Sequence, residues 1–477
     1  MYRCKYIIGT SCIGLSIGIF YINKNKKCNS FTYDDVSKHN NLKNGIWVTY
    51  KENVYDITNF IENHPGGKDK IMLSAGKGLE PYWNIYKQHT NNSSIIKDIL
   101  TPMKIGNLKN YDPEKYTNMS DPYINDPVRD SQLNFHSSSP CNAETPKSQI
   151  MDNWITPNEL WYVRNHHPVP NIDVNKFKLT INDKELSLED IKKMEHKKVI
   201  STIQCGGNRR GELNTIDKTS GTSWNYGAIS TAEWSGVPLR DLLIKFGVLD
   251  NDINNGKIKH VHFEGYEGVK ASIPIEKAMN SYGDVIIAYK MNGEEIPRDH
   301  GYPLRVIIPG FVGIRNIKWL KKINISDKEV DGIWQKGISY KGLPHYIKDA
   351  NNISIDDIAP IQELPVQSCI VDILPDKEKL KIKGFAWSGG GRGIIRVDIS
   401  CDGGKTWNMA ELKEGSEQKL NKAWAWTFWE FDTTNKGGEI ICKATDASYN
   451  TQPEKSEYAW NIRGLNNNSW HRIKWSI

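Results

Sequence analysis

The sequence predicts a multidomain protein of α+β class that ends in an all-β sandwich. At 477 residues the chain is too long for one hydrophobic core. Its N-terminal and middle parts mix short strand-like runs with helix signals. Its last part alternates apolar and polar residues at period two, with glycine turns between the runs.

With 25% charged and 38% hydrophobic residues, the composition is that of a folded chain. The formal charge of +6 is mild over this length. Basic runs such as Lys318 to Lys322 are broken by apolar residues, which argues against nucleic acid as a partner. Small anions, or an oppositely charged patch on a partner, suit the charge better. The cysteines (Cys4, Cys12, Cys28, Cys141, Cys205, Cys369, Cys401 and Cys442) are dispersed and form no C-x-x-C pair. A zinc ribbon, a thioredoxin-like site and a disulfide framework are therefore not indicated. Residues 1–28 hold an uncharged run from Tyr6 to Ile22, with Arg3 and Lys5 before it and Lys24, Lys26 and Lys27 after it. That run is marginal for a membrane span and reads as a targeting segment or a single N-terminal anchor.

The first module is expected at 29–108. Thr32 followed by Asp35 has the spacing of a capping box, and Ile46–Tyr50 and Val54–Ile57 read as strands around a polar turn. In His64-Pro65-Gly66-Gly67 a histidine precedes a rigid proline and two residues without side chains, so backbone can approach a flat ring closely. A heme-ligating histidine needs that approach, and a pure electron carrier needs a second axial ligand. His89 follows a helix-like stretch from Lys68 through Tyr86. The module resembles cytochrome b5 along its length: Gly45-Ile46-Trp47-Val48, Tyr55-Asp56-Ile57-Thr58, the His-Pro-Gly-Gly turn, Ala75-Gly76 and His89. The resemblance implies heme b, with His64 and His89 as the two iron ligands.

Residues 109–148 are rich in Asp, Pro, Asn and Ser. Asp121-Pro122, Asp126-Pro127 and His136-Ser137-Ser138-Ser139-Pro140 are turn and linker signals. They predict a connection between separately folded units that lets them move relative to one another.

The second module, expected at 149–345, centres on the run Thr202–Glu212. A short apolar strand delivers Cys205 to Gly206-Gly207, and Arg209 and Arg210 follow at once. Strand, glycine turn and cations would hold a thiolate amid positive charge, as suits a soft metal ligand beside an anionic substrate. A buried cysteine before a turn is the plain alternative. Around it stand Trp161-Tyr162-Val163-Arg164-Asn165-His166, Trp224-Asn225-Tyr226-Gly227, Val261-His262-Phe263-Glu264-Gly265, Arg298-Asp299-His300-Gly301-Tyr302-Pro303-Leu304-Arg305 and Lys318-Trp319-Leu320. Together these segments resemble the sulfite oxidase family of molybdenum-cofactor enzymes from Trp161 to Leu320.

The resemblance implies a molybdopterin, one pterin dithiolene per molybdenum, with the Cys205 thiolate as the protein's only ligand to that metal. Tyr162, Val163, Arg164, Asn165 and His166 are implied to bind the pterin or its phosphate, together with His300, Arg305, Asn316, Ile317 and Lys318. Arg and Lys are the donors a buried phosphate calls for. This chain departs from the family at Tyr266-Glu267, where an Asp is usual after Phe-Glu-Gly and the loop is longer; Glu267 is the candidate replacement. Sulfite is a small dianion whose pocket needs fixed cations. The matching positions are Arg164, Arg210 and Arg463, with Trp224 as a wall and Tyr340 as the active-site tyrosine.

The third module is expected at 346–477. Gly393–Ile399 alternates at period two, Asp402-Gly403-Gly404 is a hairpin turn, Trp424, Trp426 and Phe428 alternate, and Glu439–Ala444 reads as another strand. Several short strands at regular spacing argue for an immunoglobulin-like sandwich. Lys383-Gly384-Phe385-Ala386-Trp387 and Ala423-Trp424-Ala425-Trp426 resemble the dimerisation domain of the same family, which implies a two-fold homodimer.

The modules together imply an enzyme that oxidises sulfite to sulfate, the last step of sulfur amino-acid degradation. Its electrons would leave one at a time through the heme to cytochrome c. Members with an N-terminal b5 module reside in the mitochondrial intermembrane space, which residues 1–28 would serve as import signal or inner-membrane tether. A nitrate reductase shares two of the modules. It usually places its heme module after the dimer domain and adds a flavin reductase, whereas here the heme module stands first and no Gly-x-Gly-x-x-Gly fingerprint occurs. A membrane-anchored b5 carrier with an inert Cys205 would contain iron alone.

Overall fold

The computed structural model describes residues 29–64, 71–85, 89, 93–113, 123–349, 354–376, 378–434 and 437–476. Residues 1–28, expected to be a targeting or anchor segment, and the turn residues 65–67 lie outside them. Among the described residues no helix is long and apolar enough to cross a membrane.

Residues 29–108 build a five-stranded sheet in the order Ser30–Phe31, Lys104–Leu108, Asn53–Asp56, Gly45–Tyr50, Asn40–Asn41. The capping box forms: the Thr32 hydroxyl accepts from Asp35 N at 3.2 Å, and the Asp35 carboxylate accepts from Thr32 N at 2.9 Å. Ile46, Val48, Ile57 and Ile61 fill the core beneath the sheet. The helix expected from Lys68 through Tyr86 is not continuous. Its described part is a 3₁₀ turn at Met72–Ser74 and a helix at Glu80–Ile85. Gly76 breaks it with a φ of +72°, and its neighbours Lys77 and Leu79 bond to Thr49 of the sheet instead.

The connection expected at 109–148 is shorter than its composition suggests. Strands Asn134–Ser138 and Cys141–Glu144 form a hairpin, and the second strand pairs with Val163–Arg164. Every residue of Cys141–Glu144 is buried, and Cys141 and Ala143 pack with Leu133 and Val163. Turn-forming residues mark the hairpin here, and apolar burial joins it to the catalytic module.

That module holds two five-stranded sheets. One orders Lys184–Ser187, Lys178–Ile181, Leu320–Ser326, His260–Gly265 and Lys270–Pro274. The other runs Lys197–Gln204, Ile229–Pro238, Ile286–Met291, Glu294–Glu295, with Arg305–Ile307 also on Ile286–Met291. Two antiparallel four-stranded sheets then face each other across Ile370, Ile382, Val397, Ile399, Trp429 and Cys442, the predicted sandwich. The Asp402 turn closes its hairpin by accepting from Lys405 N and Thr406 N.

Catalytic module and sandwich are joined by a dense seam. Thr202 N donates to Trp424 O at 3.0 Å, Trp426 N donates to the Thr202 hydroxyl at 2.8 Å, and Trp424 Nε1 donates to Asp284 at 2.9 Å. Gly310, at φ +81°, lies so close to Gly389 that a Cβ there would sit 1.6 Å from its carbonyl oxygen. Only glycine permits that approach.

His471 locks the sandwich: its Nδ1 accepts from Ile370 N at 3.1 Å, and its burial drives its pKa down to about 3. The unfolded chain therefore binds a proton between roughly pH 6.5 and 3 that the folded chain refuses, so stability falls as pH drops through that window. His471→Asn keeps an acceptor near Ile370 but cannot titrate. The expected outcome is a smaller loss of thermal midpoint between pH 7.5 and 5 than in the parent protein, read by scanning calorimetry.

Candidate active site

Cys205 emerges where the strand Lys197–Gln204 ends. The strand pairs residue for residue with Ile229–Pro238, from Lys197↔Gly236 to Gln204↔Ile229, and its last four side chains are buried. Cys205 N donates to Ala228 O and Cys205 O accepts from Asn208 N, both at 3.0 Å. Backbone thus fixes the thiol at the floor of a cleft of about 610 Å³.

Of the residues expected to bind the pterin, the cleft brings together Tyr162, Arg164, His166, Glu267, His300, Arg305, Asn316, Ile317 and Lys318, with Tyr340 beside them. Glu267 stands in the turn between strands His260–Gly265 and Lys270–Pro274, and its charge is felt by Lys318. Val163 turns the other way, into the small core with Leu133 and Cys141. Alternation along Tyr162-Val163-Arg164 accounts for this, since neighbours on an extended chain face opposite sides. Asn165 is buried behind the wall, where its side chain donates to Asp299 at 2.8 Å and accepts from Lys318.

The cations test what the cleft could hold. Arg305 is buried and donates to His300 O at 2.8 Å and Asn316 O at 3.1 Å, while its Nε finds no partner among the described residues. Burial pulls its pKa to about 10, so it stays charged near neutral pH. Lys318, also enclosed, is pulled to about 8 by burial against the opposing pull of Glu267 and Asp299. His300 is driven down to about 3 and His166 well below its usual value, both first by burial, so both imidazoles are neutral. A guanidinium buried without a carboxylate is expensive unless an anion arrives. A phosphate-bearing pterin with its metal on the Cys205 thiolate fits this donor set.

The two arginines after Cys205 part company. Arg209, at φ +60°, turns to the sandwich and pairs with Glu212 at 2.6 Å. Arg210 folds back over Gly207, where a Cβ would sit 2.5 Å from the guanidinium. Its Nε donates to Gly464 O at 3.0 Å and its Nη1 to Thr222 O at 2.7 Å. Burial lowers its pKa, the neighbouring Cys205 and Tyr340 oppose, and the like charges of Arg164 and Arg463 add to the lowering. These interactions bring Arg164, Arg210, Arg463 and Tyr340 into one electrostatic neighbourhood. The buried Nε of Arg463 has no partner among the described residues. Tyr340 has its hydroxyl pKa raised by burial and then by the Cys205 charge, so it stays a donor. Trp224 is fully buried in the cluster that contains Cys205 and is not among the cleft-lining residues.

In the N-terminal module the rings of His64 and His89 lie within 11° of parallel, with centroids 6.2 Å apart. Two metal–imidazole bonds of roughly 2 Å, with the inner half of each ring, fill such a gap. Heme iron between them fits.

Sequence reasoning missed Asp299 and Arg129. Asp299 is buried and takes two bonds from Arg129, at 2.8 and 2.9 Å, and a third from Asn165 at 2.8 Å. Its backbone oxygen accepts from Lys318 at 2.8 Å. Arg129 comes from the segment read as linker and also pairs with Asp126 at 2.9 Å. Its position beside Asp126-Pro127 gave no sign of a partner 170 residues away.

Comparison with known proteins agrees with this architecture. The model of the cytochrome b5-like heme/steroid binding domain matches residues 32–109, that of the oxidoreductase molybdopterin binding domain 166–334, and that of the Mo-co oxidoreductase dimerisation domain 358–477. The mitochondrial sulfite oxidase of Rattus norvegicus is 42% identical over 93% of this chain and 83% of its own length. The sulfite oxidase of Gallus gallus is 39% identical over 93% and 99%. The crystal structure of the sulfane dehydrogenase SoxCD from Paracoccus pantotrophus superposes with a TM-score of 0.58 at 26% identity, over 74% of this chain and 90% of that one. A heme module, a molybdopterin module and a dimerisation module in this order, with relatives this close over nearly the whole length, place the chain in the sulfite oxidase family.

Proposed function

We propose that this chain oxidises sulfite to sulfate in the Cys205 cleft and passes the electrons singly through a b-type heme to cytochrome c. The observation that carries the reading is a single thiol in a cleft lined by Arg164, Arg305 and Lys318 against one carboxylate, Glu267, among the described lining residues, with the buried Nε of Arg305 unpartnered there. When bound, molybdopterin supplies the two-electron oxidation and the heme carries the electrons onward.

The residues have separable tasks. Cys205 offers the soft donor for the metal. Arg305, Lys318 and His300 hold the pterin and its phosphate, with Tyr162, His166, Asn316 and Ile317 around it, while Val163 faces the core behind; Glu267 takes over the acceptor role toward the ring. Arg164, Arg210 and Arg463 gather the dianion, which in a partly dehydrated pocket binds far more strongly than in water. Tyr340 keeps its proton and donates to substrate or product. Trp224 stiffens the floor from behind. His64 and His89 ligate the heme.

The functional units extend over 29–108, over 149–345 with the hairpin before it, and over 346–477, which forms the homodimer contact. The chain is mitochondrial, as its relatives are named. We place it in the intermembrane space, with residues 6–22 as import signal or tether.

Cys205→Ser is expected to leave heme absorbance intact, remove molybdenum and reduce sulfite-dependent cytochrome c reduction to background. A variant as active as the parent protein would overturn the assignment. Arg129→Gln removes both strong bonds to Asp299, and with them the support of Asn165 and Lys318. A loss of this supporting kind typically costs about 10- to 100-fold in cofactor affinity. The expected result is a molybdenum-to-iron ratio several-fold below that of the parent protein by elemental analysis, with heme content unchanged and Arg129→Lys in between.

A further inference from the structure

The hairpin between the heme and catalytic modules does more than connect. Glu144, at its end, is 2% exposed and carries no arginine or lysine partner in the described structure. One carboxylate oxygen accepts from Asn225 N at 2.5 Å and from His136 Nε2 at 2.8 Å; the other accepts from Gly227 N at 3.1 Å. The same carboxylate thus holds the loop 222–227 at two points near its end, Asn225 and Gly227. Gly227 is pressed against it so tightly that a Cβ there would lie 3.0 Å from Glu144 Oε2 and 2.8 Å from Thr145 O.

That loop does two things for the anion pocket. Its carbonyl oxygens receive the Cys205 turn: Thr222 O accepts from Arg210 Nη1 at 2.7 Å, Trp224 O from Gly211 N at 2.8 Å, and Asn225 O from Arg209 N at 2.5 Å. It also carries Trp224, whose ring meets the His136 ring edge to face, with centroids 5.0 Å apart at 70°. His136 therefore touches both the clamp and the tryptophan, and its side chain is 22% exposed.

We propose that Glu144 and His136 are positioning residues for the sulfite site: they fix the loop whose carbonyl aims the Arg210 guanidinium at the substrate. Neither touches substrate or cofactor. The inference rests on the function proposed above, because it gives Arg210 its anionic target. A buried acceptor that holds two backbone N–H groups is costly to lose, and a shift of the loop by a fraction of an ångström changes the direction of a guanidinium at its far end.

The distinguishing sign is a change in anion affinity without loss of cofactor. In Glu144→Gln the side-chain amide nitrogen cannot accept from the loop, so one of its two backbone anchors is lost. The holoenzyme variant is expected to show a KM for sulfite raised about tenfold, with the inhibition constant for sulfate raised in parallel and kcat within twofold. Its molybdenum and heme contents should match those of the parent protein. His136→Ala, at a partly exposed position, is expected to raise the same two constants about threefold, and His136→Gln, which retains a donor, to restore them. Unchanged sulfite and sulfate constants in both Glu144→Gln and His136→Ala would overturn the proposal. So would a fall in activity that tracks lost molybdenum, since that marks a merely structural role. Sulfite oxidation by the parent protein, assayed alongside, tests the underlying function separately.

Discussion

The cost of taking cations out of water governs the active site. Arg164, Arg305 and Lys318 line one cleft with Glu267; Arg210 lies within electrostatic reach of Arg463 and of Arg164; and Asp299 is already committed to Arg129. The lowered pKa values of Arg210, Arg305 and Lys318 record the cost of leaving water, and for Arg210 the crowding by like charges as well. A fold carries such a cost when its guest is negative and binds tightly, because the free energy of binding is then added to that of folding. Cofactor and substrate are both anionic. The same cations that are costly to take out of water define what enters the cleft.

Holding these charges in place takes a scaffold drawn from distant parts of the chain. Arg210 is held by a carbonyl from the sandwich and another from its own module, Lys318 by Arg164 O, Asp299 O and the Asn165 side chain. Most of these acceptors are backbone oxygens, which stay where the sheets put them. The neutral imidazoles of His300 and His166 follow the same economy, since they add hydrogen-bonding capacity to the cleft without adding charge.

The parts of this arrangement that were legible in the sequence are those whose signal is local. The Cys205 turn, the capping box at Thr32 and the Asp402 hairpin each rest on residues a few positions apart. His64 and His89 were readable because a proline–glycine turn marks the first and module length the second. What escaped was whatever depends on a partner far along the chain. Arg129 and Glu144 lie in a stretch whose Asp-Pro and Ser-Pro pairs promised a linker, and only the folded protein shows what they grip. The extended run through Gly76 failed for a related reason: local helix preference yielded to hydrogen bonds with the neighbouring sheet. Val163 shows the limit of carrying a whole motif across, since the pleat sends alternate side chains to opposite sides.

The bonds from Thr202 to Trp424 and Trp426 have a further meaning. The strand that ends at Cys205 pairs on one side with Ile229–Pro238, and in the sheet order it stands outermost. Its other side would be a bare row of donors and acceptors, the kind of surface on which chains stack into aggregates. The sandwich meets this edge at Thr202, whose N donates to Trp424 O, from within the same polypeptide. A catalytic module separated from its sandwich would therefore present a sticky margin just ahead of Cys205. The domain that pairs one protomer with another also keeps the wrong partners away.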